Sequence, residues 1–307
     1  MTFPIHTIDR ARSTQFEQLG TKPKFWYDGG RWLFKGDVRG TGADWAEVVA
    51  AQLGRLLGLP CVDYAFAIAT NDGSDHQRGV ICANMATDGK ELVLGNQHLL
   101  AIDRTYPSEE RWKVSRHTVD AVCGALEYVS KPAAAWTRDS PEWVFTPLGF
   151  FIGYVMLDAW IANQDRHHEN WGLIWDPSAG EIGLAPTFDH GAGMGCILTD
   201  GERSQRMTTR DTGYKVEAFC ERAKSAFYAN ASDPGTLTTL EAYRLFAAEA
   251  PVEAAPWVER LRAVTEEQVL GILNEVPQDR MSPVCRDFTC LLLTINQKRI
   301  LALADSV

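Results

Sequence analysis

The run Phe150-Phe-Ile-Gly-Tyr-Val-Met-Leu-Asp-Ala-Trp-Ile161 constrains this chain more than any other segment. It is too long for an ordinary strand, and its apolar character predicts a buried helix. Residues 162–170 then leave that helix as a loop. Trp171-Gly-Leu-Ile-Trp175 and Ile182-Gly-Leu-Ala185 read as two short strands joined by Asp176-Pro-Ser-Ala-Gly180, a natural turn. A helix, a loop and a hairpin in this order bring Asp165 and Asn170, from Asp165-Arg-His-His-Glu-Asn170, into one cleft with Asp189 of Thr187-Phe-Asp-His190.

Those three side chains suit magnesium-dependent phosphoryl transfer from a nucleotide. Asp165 is the candidate group that orients and deprotonates an acceptor hydroxyl. Asn170 offers a neutral oxygen to Mg2+, and Asp189 offers a charged one to metal bridging the phosphates. Either aspartate alone would be read as a turn cap; the amide at its interval and the hairpin between them favour catalysis. Arg166 can hold the loop through a carboxylate or reach a phosphate. Adjacent histidines do not make a closed zinc site, and no cysteine pair stands nearby at finger spacing. His167 is expected to organise the loop inside the site and His168 to be exposed; Glu169 receives no role.

Such a site requires an upstream cation. Gly20-Thr-Lys-Pro-Lys-Phe-Trp-Tyr27, Asp28-Gly-Gly30 and Arg31-Trp-Leu-Phe-Lys35 read as a hairpin with Asp-Gly-Gly at its turn. Lys35 ends the second strand, where its ammonium can meet phosphate oxygens, and Gly20 permits close backbone approach to phosphate. Lys22 or Lys24 could take the place of Lys35. The segment holds neither a Walker pattern nor a full Gly-x-Gly-x-x-Gly. Downstream, Trp45, Val49, Leu53, Leu56 and Leu57 form a helical stripe that Asp44 can cap and Gly58 can end. Glu47 is expected in the first turn, where it favours the helix dipole, and it can also pair with Lys35.

Over about residues 15–300 the chain resembles the HipA-like protein kinases. The resemblance rests on Gly20-Thr-Lys-Pro-Lys24, the strand ending in Lys35, and Glu47 opening a Leu/Ala-rich helix closed by Leu57-Gly-Leu-Pro60. Asn163-Gln-Asp-Arg-His-His-Glu-Asn170 and Leu184-Ala-Pro-Thr-Phe-Asp189 complete it. It implies an α+β, two-lobed kinase fold, use of ATP with Mg2+, a serine/threonine protein substrate and an antitoxin or regulatory protein partner. It also implies that Asp165 is the base, Asn170 and Asp189 are the metal ligands, and Lys35 contacts phosphate; Gly20, Thr21, Lys22 and Glu47 complete the expected nucleotide site. Only a short piece precedes the glycine loop, whereas longer members of the family carry another small N-terminal subdomain. Where relatives often place a regulatory serine, the loop reads Phe16-Glu-Gln-Leu-Gly20, and Ser13, Thr14 and Thr21 are the nearest hydroxyls.

A chain of 307 residues can bury one large core or two modest lobes. A small β-rich lobe is expected over residues 1–98, with strand-like runs around Asp88-Gly89, and a larger, mainly helical lobe over 99–307. Helices are expected near 109–129, 149–163, 215–229, 236–249, 256–275 and 284–303. Gly191-Ala-Gly-Met-Gly195 suggests a mobile activation-type segment to about residue 212. Most of the ten tryptophans fall in apolar segments and are assigned to the core. Seven scattered cysteines form no disulfide or zinc framework, and no segment reads as a membrane span or secretory leader, so a reduced, cytoplasmic setting is expected. A formal charge of −10 argues against a broad nucleic-acid surface.

Two rival functions share these residues. The Asp-Arg-His-x-x-Asn loop also resembles the phosphoinositide kinase pattern, so a small molecule or lipid headgroup is an alternative acceptor. The other rival is a catalytically inactive nucleotide-binding module.

Overall fold

A computed structural model describes residues 2–16, 24–37, 40–71 and 75–306. The N-terminal part is a six-stranded sheet of β1 (Ile5–Asp9), β2 (Ser13–Phe16), β3 (Lys24–Tyr27), β4 (Trp32–Gly36), β5 (Tyr64–Asn71) and β6 (Asp75–Ala83). Its order is β1-β5-β6-β4-β3-β2, with β1 parallel to β5 and the other pairs antiparallel. The β3–β4 hairpin turns over Asp28, Gly29 and Gly30, with φ of 54°, 69° and 82°. Glycine adopts that region freely and aspartate tolerates it, which is why Asp-Gly-Gly is legible as a turn. The register sets Lys24 directly opposite Lys35, so the two side chains share one face of the sheet.

Helix α1 (Ala43–Leu57) crosses behind this sheet and buries Trp45, Val49, Leu53 and Leu57. It ends at Gly58, where φ is 76° and a Cβ would lie 2.2 Å from the Asp139 carbonyl oxygen. Its start differs from expectation. Gly42 is the N-cap, so Asp44 lies inside the helix, where it is buried and paired with Arg280. Glu47 consequently lies in the second turn, beyond the first-turn reach of the dipole.

The rest of the chain is mostly helical: α2 (Gly95–Ile102), α3 (Val119–Leu126), α4 (Pro147–Ile161), α5 (Asp200–Thr208), α6 (Val216–Arg222), α7 (Thr239–Glu249), α8 (Pro251–Ala263), α9 (Glu266–Glu275) and α10 (Pro283–Ala304). A second sheet of order β7-β8-β9 is built from β7 (Glu91–Leu94), β8 (Gly172–Asp176) and β9 (Glu181–Leu184). The two strands around Asp88-Gly89 therefore join different sheets. The change of sheet falls at 84–90, ahead of residue 98, which lies inside α2. Helix α4 is the expected buried helix and packs against α7, α8 and α10. Two tryptophans in this core satisfy their indole N–H groups on main-chain carbonyls: Trp160 donates to Leu293 at 3.1 Å and Trp257 to Gly149 at 2.8 Å.

Four expectations in the helical part need correction, and the first is the helix expected at 215–229, which spans only Val216–Arg222. Residues 109–118 form turns, and only 119–126 are helical, because Thr118 caps α3 by accepting the Ala121 N–H. The single helix expected at 256–275 is two, since Thr265 and Gln268 form a capping box that starts α9. The glycine-rich segment after Asp189 runs into α5, begun by a capping box of Thr199 and Glu202, rather than remaining loop to 212. Trp112 and Trp143 are exposed rather than core. All seven cysteines are unpaired, and among the described residues no helix is long and apolar enough to cross a membrane.

Candidate active site

Lys35 lies at the centre of the site. Its Nζ is 2.6 Å from Glu47 Oε1 and 2.8 Å from Asp189 Oδ1, and it stands over the Tyr64 ring at 5.1 Å. Strand β4 delivers the lysine, α1 delivers the glutamate, and the segment after β9 delivers the aspartate. Lys24, carried opposite Lys35, reaches Asp189 Oδ2 at 3.8 Å. Two ammonium groups on one face repel, and Asp189 is the carboxylate between them.

These placements set the charges. Burial alone would raise the Asp189 carboxyl, but Lys35 and Lys24 hold it well below its usual range. Burial would lower the Lys35 ammonium, and Asp189 and Glu47 outweigh it, leaving Lys35 well above its ordinary value. Burial lowers Lys24, with Asp189 opposing. Burial raises Glu47, against the pull of Lys35. The second Glu47 oxygen accepts the His190 N–H at 2.8 Å, so one carboxylate joins the lysine to the chain just after Asp189. Asp189 itself has φ of 61°. A left-handed conformation at a non-glycine residue costs on the order of 1–3 kcal/mol and persists where surrounding contacts hold it.

The loop after α4 is built around a buried ion pair. Arg166 sets Nε 2.7 Å from Asp158 Oδ2 and Nη2 2.8 Å from Asp158 Oδ1, and its Nη1 donates to the carbonyls of Asn170 (2.6 Å) and Phe188 (3.1 Å). Of its two expected uses, Arg166 thus takes the first, holding the loop through a carboxylate. One guanidinium ties α4 to the main chain at Asn170 and to the residue before Asp189. Asn170 Nδ2 donates to the Asp165 carbonyl at 2.6 Å, which leaves the amide oxygen as the atom able to meet a cation.

His167 Nδ1 accepts the Glu169 N–H at 3.1 Å, so Nε2 carries the proton of the neutral ring, 3.7 Å from Asp165 Oδ1. His167 is buried and organises the loop as expected; burial and then Arg111 lower its pKa to about 3. His168 is buried, contrary to expectation, because its Nδ1 pairs with the Tyr106 hydroxyl at 2.8 Å.

One cleft gathers Lys24, Lys35, Asn170 and Asp189 beneath an apolar wall that includes Leu33, Met85, Leu92 and Leu94. Cys82 also lines it, its thiol pushed up to about 12 by burial. Asp165 borders a neighbouring cavity with His167, Trp112 and Ser225. Gly20, Thr21 and Lys22 lie outside the described residues. Sequence reasoning had no role for Arg111, His190 or Glu169. The hairpin register was the one available signal for Lys24 as a companion to Lys35, while Arg111 and Glu169 meet only through tertiary folding.

A lysine–glutamate–aspartate triad between a β-rich sheet and a helical region, beside a loop carrying an aspartate and an asparagine, belongs to a kinase-like fold. The structure is similar to the crystal structure of the Helicobacter pylori proinflammatory kinase CtkA, with a TM-score of 0.67, 18% identity and 98% of each chain covered. It is also similar to HipA of the Shewanella oneidensis MR-1 toxin–antitoxin system, solved with HipB and operator DNA. There the TM-score is 0.58 and the identity 12%, over 95% of this chain and 66% of that one. No protein-family model matches the chain, and no curated protein matches it in sequence. At these identities the likeness shows a fold shared with these two structures.

Proposed function

We propose that this chain is an ATP- and Mg2+-dependent kinase that phosphorylates a serine or threonine hydroxyl of a protein. The observation that carries the reading is the contact of one buried Lys35 ammonium with both Glu47 and Asp189, across from the loop holding Asp165 and Asn170. Glu47 holds the lysine in place, and the lysine faces the cleft where phosphate oxygens would lie. Asp189, kept ionised by its lysines, and the Asn170 amide oxygen form a hard oxygen donor set that fits Mg2+. When bound, Mg2+ would supply charge to the phosphates. Asp165 borders the cavity beside this cleft, and its assigned role is to orient the acceptor hydroxyl and take its proton.

The cavity beside Asp165 favours a protein acceptor over a small molecule. It opens next to Trp112, which is 59% exposed, and Lys113, so a chain segment has a surface to lie on. HipA was solved with HipB, and by analogy we infer a regulatory protein partner for this chain.

Asp165→Asn tests the reading. The amide keeps the volume but does not take the proton, so transfer from radiolabelled ATP to protein should fall roughly 10²–10⁴-fold while the affinity for a nonhydrolysable ATP analogue stays the same. Turnover equal to wild type would reject Asp165 as the base. Nucleotide binding by a wild-type protein that transfers no phosphate to cell extract would favour the inactive-module alternative.

A further inference from the structure

Resting on the kinase reading, we propose that Arg111 is a catalytic residue that contacts the phosphoryl group during transfer. Arg111 lies in the turns between α2 and α3 and borders both cavities: the cleft of Lys35 and Asp189 and the neighbouring cavity of Asp165. A phosphoryl group passing from nucleotide to acceptor must cross between those two spaces, so Arg111 flanks its path. Lys24 and Lys35 approach from the N-terminal sheet, whereas Arg111 approaches from the helical part of the chain.

Its holding contacts leave it available. The guanidinium lies over the Trp112 ring at 5.0 Å, and Nε is 3.4 Å from Glu169 Oε2. Nε is also 3.4 Å from His167 Nε2, but that nitrogen carries the ring proton, because Nδ1 already accepts the Glu169 N–H. The approach is therefore donor against donor, consistent with Arg111 being a cause of the lowered His167 pKa. Among the described residues neither Nη nitrogen has a hydrogen-bond partner, and the side chain is 26% exposed. A positioned arginine with its forked N–H groups unspent suits the equatorial oxygens of a phosphoryl group in transit.

The step balances without covalent participation by Arg111. The bond between the γ-phosphorus and its bridging oxygen breaks, with the electron pair leaving on ADP. The acceptor oxygen bonds phosphorus, and its proton passes to Asp165. Arg111 only donates hydrogen bonds to the non-bridging oxygens as they pass.

The test compares Arg111→Ala with wild type in two assays. The first measures binding of ADP with magnesium and aluminium fluoride, a mimic of the group in flight, against binding of a nonhydrolysable ATP analogue. The second measures phosphate transfer from radiolabelled ATP to myelin basic protein and to cell extract. The expected result is a loss of roughly 10²-fold or more in turnover and in fluoride-complex affinity, with analogue affinity unchanged. Guanidinium ion added to the variant should restore part of the turnover. An equal loss of both affinities would reduce Arg111 to a structural pin on Trp112 and overturn the proposal, as would no loss in either. Wild type that transfers phosphate while Arg111→Ala matches it refutes only this inference. Wild type that transfers none refutes the kinase reading and the inference together.

Discussion

Asp158→Asn examines the joint on which the candidate catalytic loop is hung. In the native chain Arg166 is 1% exposed in its side chain and forks onto both Asp158 oxygens, at 2.7 and 2.8 Å. Asp158 Oδ1 also accepts from Asn163 Nδ2 at 2.7 Å, so the carboxylate is fully engaged. An asparagine keeps the shape, but its amide nitrogen opposes guanidinium or amide N–H groups and leaves a buried cation without a counter-charge. Removing one partner of a buried pair costs about 3–5 kcal/mol, a large share of the roughly 5–15 kcal/mol by which folded domains are stable. With a urea dependence of about 3 kcal/mol per molar, the midpoint should fall by roughly 1–1.7 M. Urea denaturation followed by tryptophan fluorescence measures it. The paired change Asp158→Leu with Arg166→Met removes both charges and should recover much of the loss. A single variant within about 1 kcal/mol of wild type would refute the reasoning, since it would mean the arginine finds water or another partner once its carboxylate is gone.

Lys35→Met keeps much of the side-chain volume and removes the charge that Glu47 and Asp189 share. Phosphate transfer should fall roughly 10²-fold or more, and Lys24→Met should cost less, because Lys24 stands 3.8 Å from Asp189 where Lys35 stands at 2.8 Å; radiolabel transfer giving the reverse order would exchange their roles. His117 should make the fold acid-sensitive. Its Nε2 accepts the Trp171 indole N–H at 3.2 Å, its Nδ1 donates to the Ala226 carbonyl at 3.2 Å, and burial lowers its pKa to about 3. The unfolded chain then binds a proton that the folded chain refuses, so stability is complete above the unfolded value of about 6.5 and falls as pH drops toward 3. In that window this one residue should contribute a slope of about 1.4 kcal/mol per pH, which His117→Gln should remove; an unchanged slope in urea titrations would assign the acid sensitivity elsewhere.

The fold was legible where pattern and length agreed. The apolar run became α4, the Asp-Gly-Gly turn joined β3 to β4, and the stripe from Trp45 to Leu57 became the buried face of α1. It was less legible where capping decided the outcome. The break between α8 and α9 lies at Val264 and Thr265, in a stretch without proline or glycine, and only the Thr265–Gln268 box marks it. Residues 109–118 carry charges at helix-compatible spacing, yet those charges face partners outside the segment: Arg111 Nε approaches Glu169, and Arg116 pairs with Asp103. His168 looked exposed for a related reason, since its partner Tyr106 lies 62 residues away.

Asn170 and Asp189 line one cleft, as the locality of helix, loop and hairpin suggested, whereas Asp165, expected in that same cleft, borders the cavity beside it; the joining of Lys35 to Asp189 spans 154 residues and depends on how the two parts of the chain meet. That joining has an energetic cause in the N-terminal sheet itself. The register that sets Lys24 against Lys35 places two like charges on one face, an unfavourable arrangement when no anion lies between them. Asp189 supplies that anion from the other part of the chain, and the Glu47 carboxylate, bonded to both Lys35 and the His190 N–H, closes the same junction. The contact between the two parts is therefore also the candidate phosphate site. A nucleotide entering the cleft would bring its own negative charge to the same lysines, in competition with Asp189, while a divalent cation would relieve the repulsion between phosphate and carboxylate. Nucleotide and cation binding should thus depend on each other, and the residues that couple them are the ones that hold the two parts of this chain together.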